Sequence, residues 1–201
     1  MSQERSLAST AEAILRKASD SAREQERFFR ESAGRIAECA SAVAEALASG
    51  GRMFTFGNGG SACDAQHLAV EFSHPIIEKR RAFPATALVD PALMSAIGND
   101  EDFALSFVHQ LKLHARPGDV AVGMSTSGKS RNVVRALRAA KELGLLTIGL
   151  TGRDGGALRE CCDHAFVVEC FNIHRIQEAH ATLVHLLWDA VQVCLGEDDV
   201  L

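Results

Sequence analysis

The 201-residue chain contains no run of about 18 consecutive apolar residues, so nothing in it reads as a membrane-spanning helix. Its first residues, Met-Ser-Gln-Glu-Arg-Ser, lack the apolar stretch of a secretory signal, and a cytoplasmic location is expected. No basic cluster exceeds Lys79-Arg80-Arg81 and the formal net charge is -5, so no footprint exists for wrapping a phosphate backbone. Nucleic acid is therefore not expected as a direct partner, and neither is a membrane. The six cysteines (39, 63, 161, 162, 170 and 194) include no CxxC pair, which argues against a thiolate-held structural zinc and for free thiols in a reducing compartment. The adjacent Cys161 and Cys162 read as small buried side chains, with redox activity as the alternative. Internal repeats, low-complexity segments and Pro- or Ser-rich linkers are also missing, so residues 1–201 are expected to form one domain.

What is present alternates between two periods. Apolar residues recur at helical spacing from Leu7 to about Phe29 and from Ser32 to Ala48, which predicts an opening helical pair over residues 1–50. Residues 51–201 then read as an α/β core. Short apolar runs at 52–56, 85–89, 120–124, 146–150 and 165–168 predict five strands. Helical patterns lie between them: Ser61 (as N-cap) to Phe72, Pro91 to Ile97, Asp102 to His114, Ser130 to Leu143 and Gly155 to Cys161. A long, largely apolar helix, about His174 to Cys194, closes the chain. Strand–helix alternation of this kind implies a parallel sheet covered on both faces, with ligands collecting at the carboxyl ends of the strands.

Two turns at those ends are unusual. Gly57-Asn58-Gly59-Gly60-Ser61 joins a strand to a helix, so backbone N–H groups would face an anion there, although such turns also serve tight packing alone. Ser125-Thr126-Ser127-Gly128-Lys129-Ser130 clusters four hydroxyls before a helix and suits a phosphate, with simple capping by Ser127 or Ser130 as the compatible alternative. It is not a Walker A loop, because the first glycine and its spacing are absent, which disfavours a nucleoside triphosphate. His67 and Glu71, four apart, project from one helix face; the pair reads either as a shared metal site or as an ordinary surface pair. On the last helix Gln177, His180 and His185 are polar groups in apolar surroundings and require partners.

The segments Gly57 to His67, Gly98-Asn-Asp100, Ser125 to Ser130, Thr151 to Gly156 and Arg175 to His180, taken in order, resemble those of sedoheptulose 7-phosphate isomerases (phosphoheptose isomerases) with a sugar isomerase (SIS) domain. The resemblance spans nearly the whole chain. It implies an α/β fold, the SIS-type three-layer sandwich with a five-stranded parallel sheet flanked by helices, plus the N-terminal helices. It further implies zinc, one ion per subunit, on His67, Glu71, Gln177 and His185. By the same resemblance Asn58, Gly59, Gly60, Asn99 and Asp100 line the sugar, Ser125, Thr126, Ser127 and Ser130 hold the phosphate, and Ser61, Glu71 and Gln177 also face the substrate. Gln177 and His185 are eight residues apart, roughly 12 Å along a helix, so both must reach inward or one must serve a neighbouring subunit. His180 is the easier ligand by spacing; the resemblance favours His185.

The implied reaction interconverts an aldose and a ketose through an enediol-type proton transfer. It takes sedoheptulose 7-phosphate to D-glycero-D-manno-heptose 7-phosphate, with Glu71 as base and His185 as its acid partner. A homotetramer is implied, with the leading helices and the last helix as its interface. Two departures stand out: His74-Pro75 where many relatives have Gly-Arg, and His174 where an Asp is common. The fold also hosts non-catalytic scaffolds that dock a replication initiator or another protein. Those relatives lack the acid and imidazole at the positions of Glu71 and His185, which this chain retains. An isomerase or sensor of another sugar phosphate is the third reading.

Overall fold

The computed structural model describes residues 2–76 and 80–199; Lys79, of the basic triplet, lies outside the described residues. The chain opens with helix α1 (Ser2–Ala48), followed by strand β1 (Met53–Gly57), α2 (Gly60–Ser73), β2 (Ala85–Ala87) and α3 (Pro91–Asp100). A 3-10 turn (Phe103–Leu105) leads into α4 (Ser106–His114), then β3 (Val120–Ser125), α5 (Arg131–Glu142) and β4 (Leu146–Gly152). A second 3-10 turn (Gly156–Leu158), β5 (His164–Val168) and α6 (Ile173–Cys194) complete the fold.

The five strands are all parallel in the order β2-β1-β3-β4-β5, as the alternation of periods requires. Because β1 is flanked by β2 on one side and β3 on the other, the chain reverses its winding direction there. This leaves a crevice outside the carboxyl ends of β1 and β3. Side chains alternate between two apolar layers. Met53, Val122, Met124, Ile148 and Phe166 face α1, α2 and α6, while Phe54, Phe56 and Ala121 face α4 and α5. Gly123 lets α5 approach the sheet closely, since a Cβ there would lie 2.7 Å from Leu137 Cδ1.

The expected opening helical pair is instead one helix of 47 residues. Residues 29–32, Phe-Arg-Glu-Ser, contain neither Pro nor Gly, and nothing there interrupts the hydrogen-bond ladder. Phe28, Ser32 and Ile36 keep one buried stripe running across the expected break. Helix α1 lies along α6, where Thr182 Oγ1 donates to Gln25 Oε1 at 2.6 Å and Ser21 Oγ to Glu178 Oε2 at 2.5 Å. Other boundaries also move. Helix α2 has Gly59, not Ser61, at its N-cap; the helix expected over 102–114 divides at Ser106; and the one expected over 155–161 is only a 3-10 turn. Arg80, of the short basic triplet, is buried over the Trp188 ring and paired with Asp189 Oδ1 at 2.7 Å.

Candidate active site

The register of the sheet brings the two unusual turns together. Gly57 pairs with Met124 and Ser125 with Thr151, so the segments following β1, β3 and β4 emerge side by side at the carboxyl edge. In the first turn Gly59 has φ 58°, a left-handed value that a residue with a Cβ rarely adopts. The buried Ser61 sits in the first turn of α2, and its N–H donates to Asn58 O. In the second turn the buried Ser125 donates from Oγ to Ser130 Oγ at 2.9 Å, and Ser127 Oγ accepts from the Lys129 N–H at 3.2 Å. Ser130 is the N-cap of α5 without using its side chain as a cap, so its hydroxyl belongs to the turn. Thr126 and Ser127 are half-buried beside it. Gly128, at φ 64°, admits no side chain: a Cβ would lie 1.9 Å from Gly155 O.

Sequence reasoning missed the group that ties these turns together. Asn132, buried in the first turn of α5, exchanges two amide hydrogen bonds with Asn58, at 2.9 and 2.8 Å, and also donates to Ser106 Oγ. The available signal was a polar residue two positions after Ser130 on an otherwise apolar helix face.

Helices α2 and α6 supply a second cluster. His67 Nε2 lies 3.1 Å from Glu71 Oε1, and the His67 and His185 rings meet edge to face with centroids 4.6 Å apart. One donor atom from each of His67, Glu71 and His185 lies within 4.8 Å of the others. Glu71 is only 7% exposed, whereas His67 is half-buried and His185 exposed, so the carboxylate forms the floor and the imidazoles the rim. Two imidazoles and a carboxylate are a donor set for a borderline divalent cation, whose ligand atoms sit roughly 3.4 Å apart when bonds of about 2.1 Å are tetrahedral. Small side-chain rotations suffice to close the present spacing. The residues therefore fit a metal ion.

Gln177 occupies the neighbouring place on the α2–α6 seam. A Cβ on Gly60 would come 2.2 Å from Gln177 Nε2, so the glycine admits the amide at the start of α2. His180, the easier ligand by spacing, faces away from the cluster. It is fully buried and its Nε2 donates to Thr151 O at 3.1 Å, while burial drives its pKa down to about 4. Asp64 is the other residue missed. It lies between Gly60 and His67 on one stripe of α2, its Oδ2 is buried without a hydrogen-bond partner, and desolvation raises its pKa against the opposing pull of His67. Asn99 and Asp100, at the exposed end of α3, bond to each other (Nδ2 to Oδ1, 2.7 Å) rather than to either cluster. His74 and His174 are both exposed, the first at the C-cap of α2 and the second at the start of α6.

The arrangement is thus a hydroxyl-lined turn and an acid–imidazole group at one edge of a parallel sheet. The SIS domain family matches residues 18–152. Over 91% of this chain and 92% of its own length, the phosphoheptose isomerase of Thermodesulfovibrio yellowstonii is 44% identical; that of Geotalea daltonii is 47% identical over 79% and 83%. The chain belongs to the phosphoheptose isomerase family, within the SIS fold. Solved relatives agree on the backbone. The phosphoheptose isomerase of Francisella tularensis superposes with a TM-score of 0.87 at 31% identity, over 92% of this chain and 98% of that one. The enzyme from Neisseria gonorrhoeae gives 0.85 at 34% identity over 92% and 99%.

Proposed function

We propose that the protein is an aldose–ketose isomerase that converts sedoheptulose 7-phosphate to D-glycero-D-manno-heptose 7-phosphate, using Glu71 and His185. The observation that carries this reading is the convergence of a buried carboxylate and an exposed imidazole, from helices distant in sequence, beside a hydroxyl-lined anion turn. Family membership supplies the reaction class, and the geometry supports the roles given to Glu71 and His185. The scaffold reading is disfavoured because a docking protein has no use for this acid–imidazole pair.

The hydroxyls of Ser125, Thr126, Ser127 and Ser130, with the N-terminus of α5, receive the phosphate. The backbone of Gly59 and Gly60, with Ser61 and Asn58, lies next to the sugar, and the Asn132 amide pair fixes the Asn58 side chain. Asn99, Asp100 and Gln177 complete the sugar contacts by resemblance. Glu71 removes the proton from carbon 1 of the ketose and returns it to carbon 2, and His185 exchanges a proton with the sugar oxygens. Zinc, when held by His67, Glu71 and His185 with Gln177 as the fourth donor, supplies polarisation of the carbonyl. Holding a cation would make Glu71 a weaker base, and its role as base rests on the carboxylate itself.

A homotetramer in the cytoplasm accompanies this reading. Helix α6 exposes Leu186 and Val193 beside Phe29 and Ile36 of α1, around an open apolar cavity of about 420 Å³, as a self-association face requires. The chain has no helix long and apolar enough to cross a membrane among its described residues.

The test is to incubate the purified protein with sedoheptulose 7-phosphate, and separately with pentose and hexose phosphates, and to follow the anomeric protons by NMR. A new aldoheptose signal only with the seven-carbon substrate is expected. Conversion of a shorter sugar phosphate alone, or of none, would overturn the assignment. Metal analysis of chelator-free protein, expected to give one zinc per subunit, and sedimentation, expected to give four subunits, check the two accompanying claims.

A further inference from the structure

Cys161 and Cys162 are adjacent in sequence, and neither takes part in the chemistry above. Both sulfurs lie 3.3 Å from the same acceptor, the carbonyl oxygen of Leu158. Cys161 is buried and Cys162 half-buried, on a turn whose outer residues Arg159, Glu160 and Asp163 are exposed. We propose that Cys161 and Cys162 form a dithiol site for a thiophilic trivalent arsenical, and that its occupation weakens phosphate binding at the Ser125–Ser130 turn through Leu158.

Adjacent residues favour such a ligand over a disulfide. Their Cα atoms are about 3.8 Å apart across a trans peptide, short of the roughly 4.4 to 6.8 Å that a disulfide spans. A larger atom between the sulfurs relieves that constraint. The two thiols share one titration: the adjacent Cys162 thiol, with Arg138 and Lys141 nearby, lowers the Cys161 pKa although burial opposes it, while the Cys161 sulfur and burial raise that of Cys162. In the reaction R–As=O plus two thiols, two As–S bonds form and the oxygen leaves as water with both thiol protons. No electron is transferred.

The consequence follows from what Leu158 holds. Its carbonyl accepts from the Cys161 N–H and from both thiols, and its own N–H donates to Gly128 O at 3.1 Å. Gly128 lies within the phosphate turn and packs against Gly155 with no room for a Cβ. Bridging the sulfurs removes two donors from the Leu158 carbonyl and pulls on the 3-10 turn, which displaces Gly128 and the hydroxyls on either side of it.

Phenylarsine oxide is the probe. Intact-mass spectrometry of the reduced full-length protein should show one phenylarsenic adduct with loss of water, retained in Cys63→Ala and Cys194→Ala and lost in both Cys161→Ala and Cys162→Ala. Circular dichroism melts establish that the variants fold; if either does not, alkylation mapping of the wild type should show Cys161 and Cys162 protected together. Calorimetry should then give a Kd for sedoheptulose 7-phosphate raised roughly three- to tenfold, the worth of about one hydrogen bond, and restored by 2,3-dimercaptopropanol. No adduct, an adduct that survives in the variants or maps elsewhere, or an adduct with unchanged Kd would overturn the proposal. The role at the phosphate turn rests on the isomerase reading, whereas the mass measurement does not, so failure of one is distinguishable from failure of the other.

Discussion

The two ends of the sheet treat their polar groups in opposite ways. At the amino end, the buried Asp119 accepts from the Arg52 N–H, the Arg52 guanidinium and the Arg116 N–H, at 2.8 to 2.9 Å. Asp163 likewise accepts from Thr147 N, Thr147 Oγ1 and Lys141 Nζ; burial works against its ionised form, but these donors outweigh it and hold its pKa below the ordinary value. At the carboxyl end, Glu71 has His67 beside it, Asp64 keeps a buried oxygen without a partner, and His180 keeps a buried Nδ1 without one. Carboxylates that hold the fold are saturated with donors, while those around the site are left short. A buried group left short of partners is costly to fold and available to a cation or substrate.

This contrast can be broken at several points. The largest effect on binding belongs to the metal: His67→Ala or His185→Ala should weaken zinc binding by roughly a hundredfold or more, since even outer partners of metal ligands are worth 10- to 100-fold. Competition with a chromophoric chelator measures it, and unchanged affinity in both variants would remove the metal from this cluster. Next comes pH. His180 has a folded pKa of about 4 against an ordinary 6.5, so between these values the unfolded chain binds the proton and the native state does not. Stability should therefore fall as pH drops from 6.5 to 4, by on the order of 3 kcal/mol from this group. In His180→Asn, which keeps a donor for Thr151 O, that part of the slope should vanish in urea melts.

At the other end of the sheet, Asp119→Ala should cost about 2 to 3 kcal/mol, because the Arg52 and Arg116 donors lose their shared acceptor. It should leave kcat and KM of the folded fraction unchanged, which a urea titration and an assay on the same sample would test. The smallest effect is at Asn132→Ala, where loss of the amide pair should raise KM about tenfold with a lesser change in kcat. Asn132→Asp, which still accepts from the Asn58 amide, should recover part of it.

Much of this was legible in the residues. The glycine turn after β1 and the hydroxyl turn after β3 are visible because special backbone and clustered side chains interrupt apolar runs, and the strands are visible because parallel strands are apolar on both faces. The continuity of α1 is less visible, since helical periodicity drifts over 47 residues and two stripes read as two helices. Asn132 and Asp64 were not legible because their meaning depends on the fold around them: Asn132 pairs with Asn58, far along the chain, and Asp64 keeps a buried oxygen that only the packed structure shows to lack a partner. The choice between His180 and His185 was likewise a matter of facing. Their spacing favours the residue that the fold turns toward Thr151.

The central claim, that the partner-poor carboxylate is the base, is tested most directly by Glu71→Gln with sedoheptulose 7-phosphate, followed by NMR in deuterated water. The account predicts conversion slowed by roughly 10²- to 10⁴-fold, in a protein that melts no lower than the wild type and still binds the substrate. Conversion at the wild-type rate in that variant would contradict it.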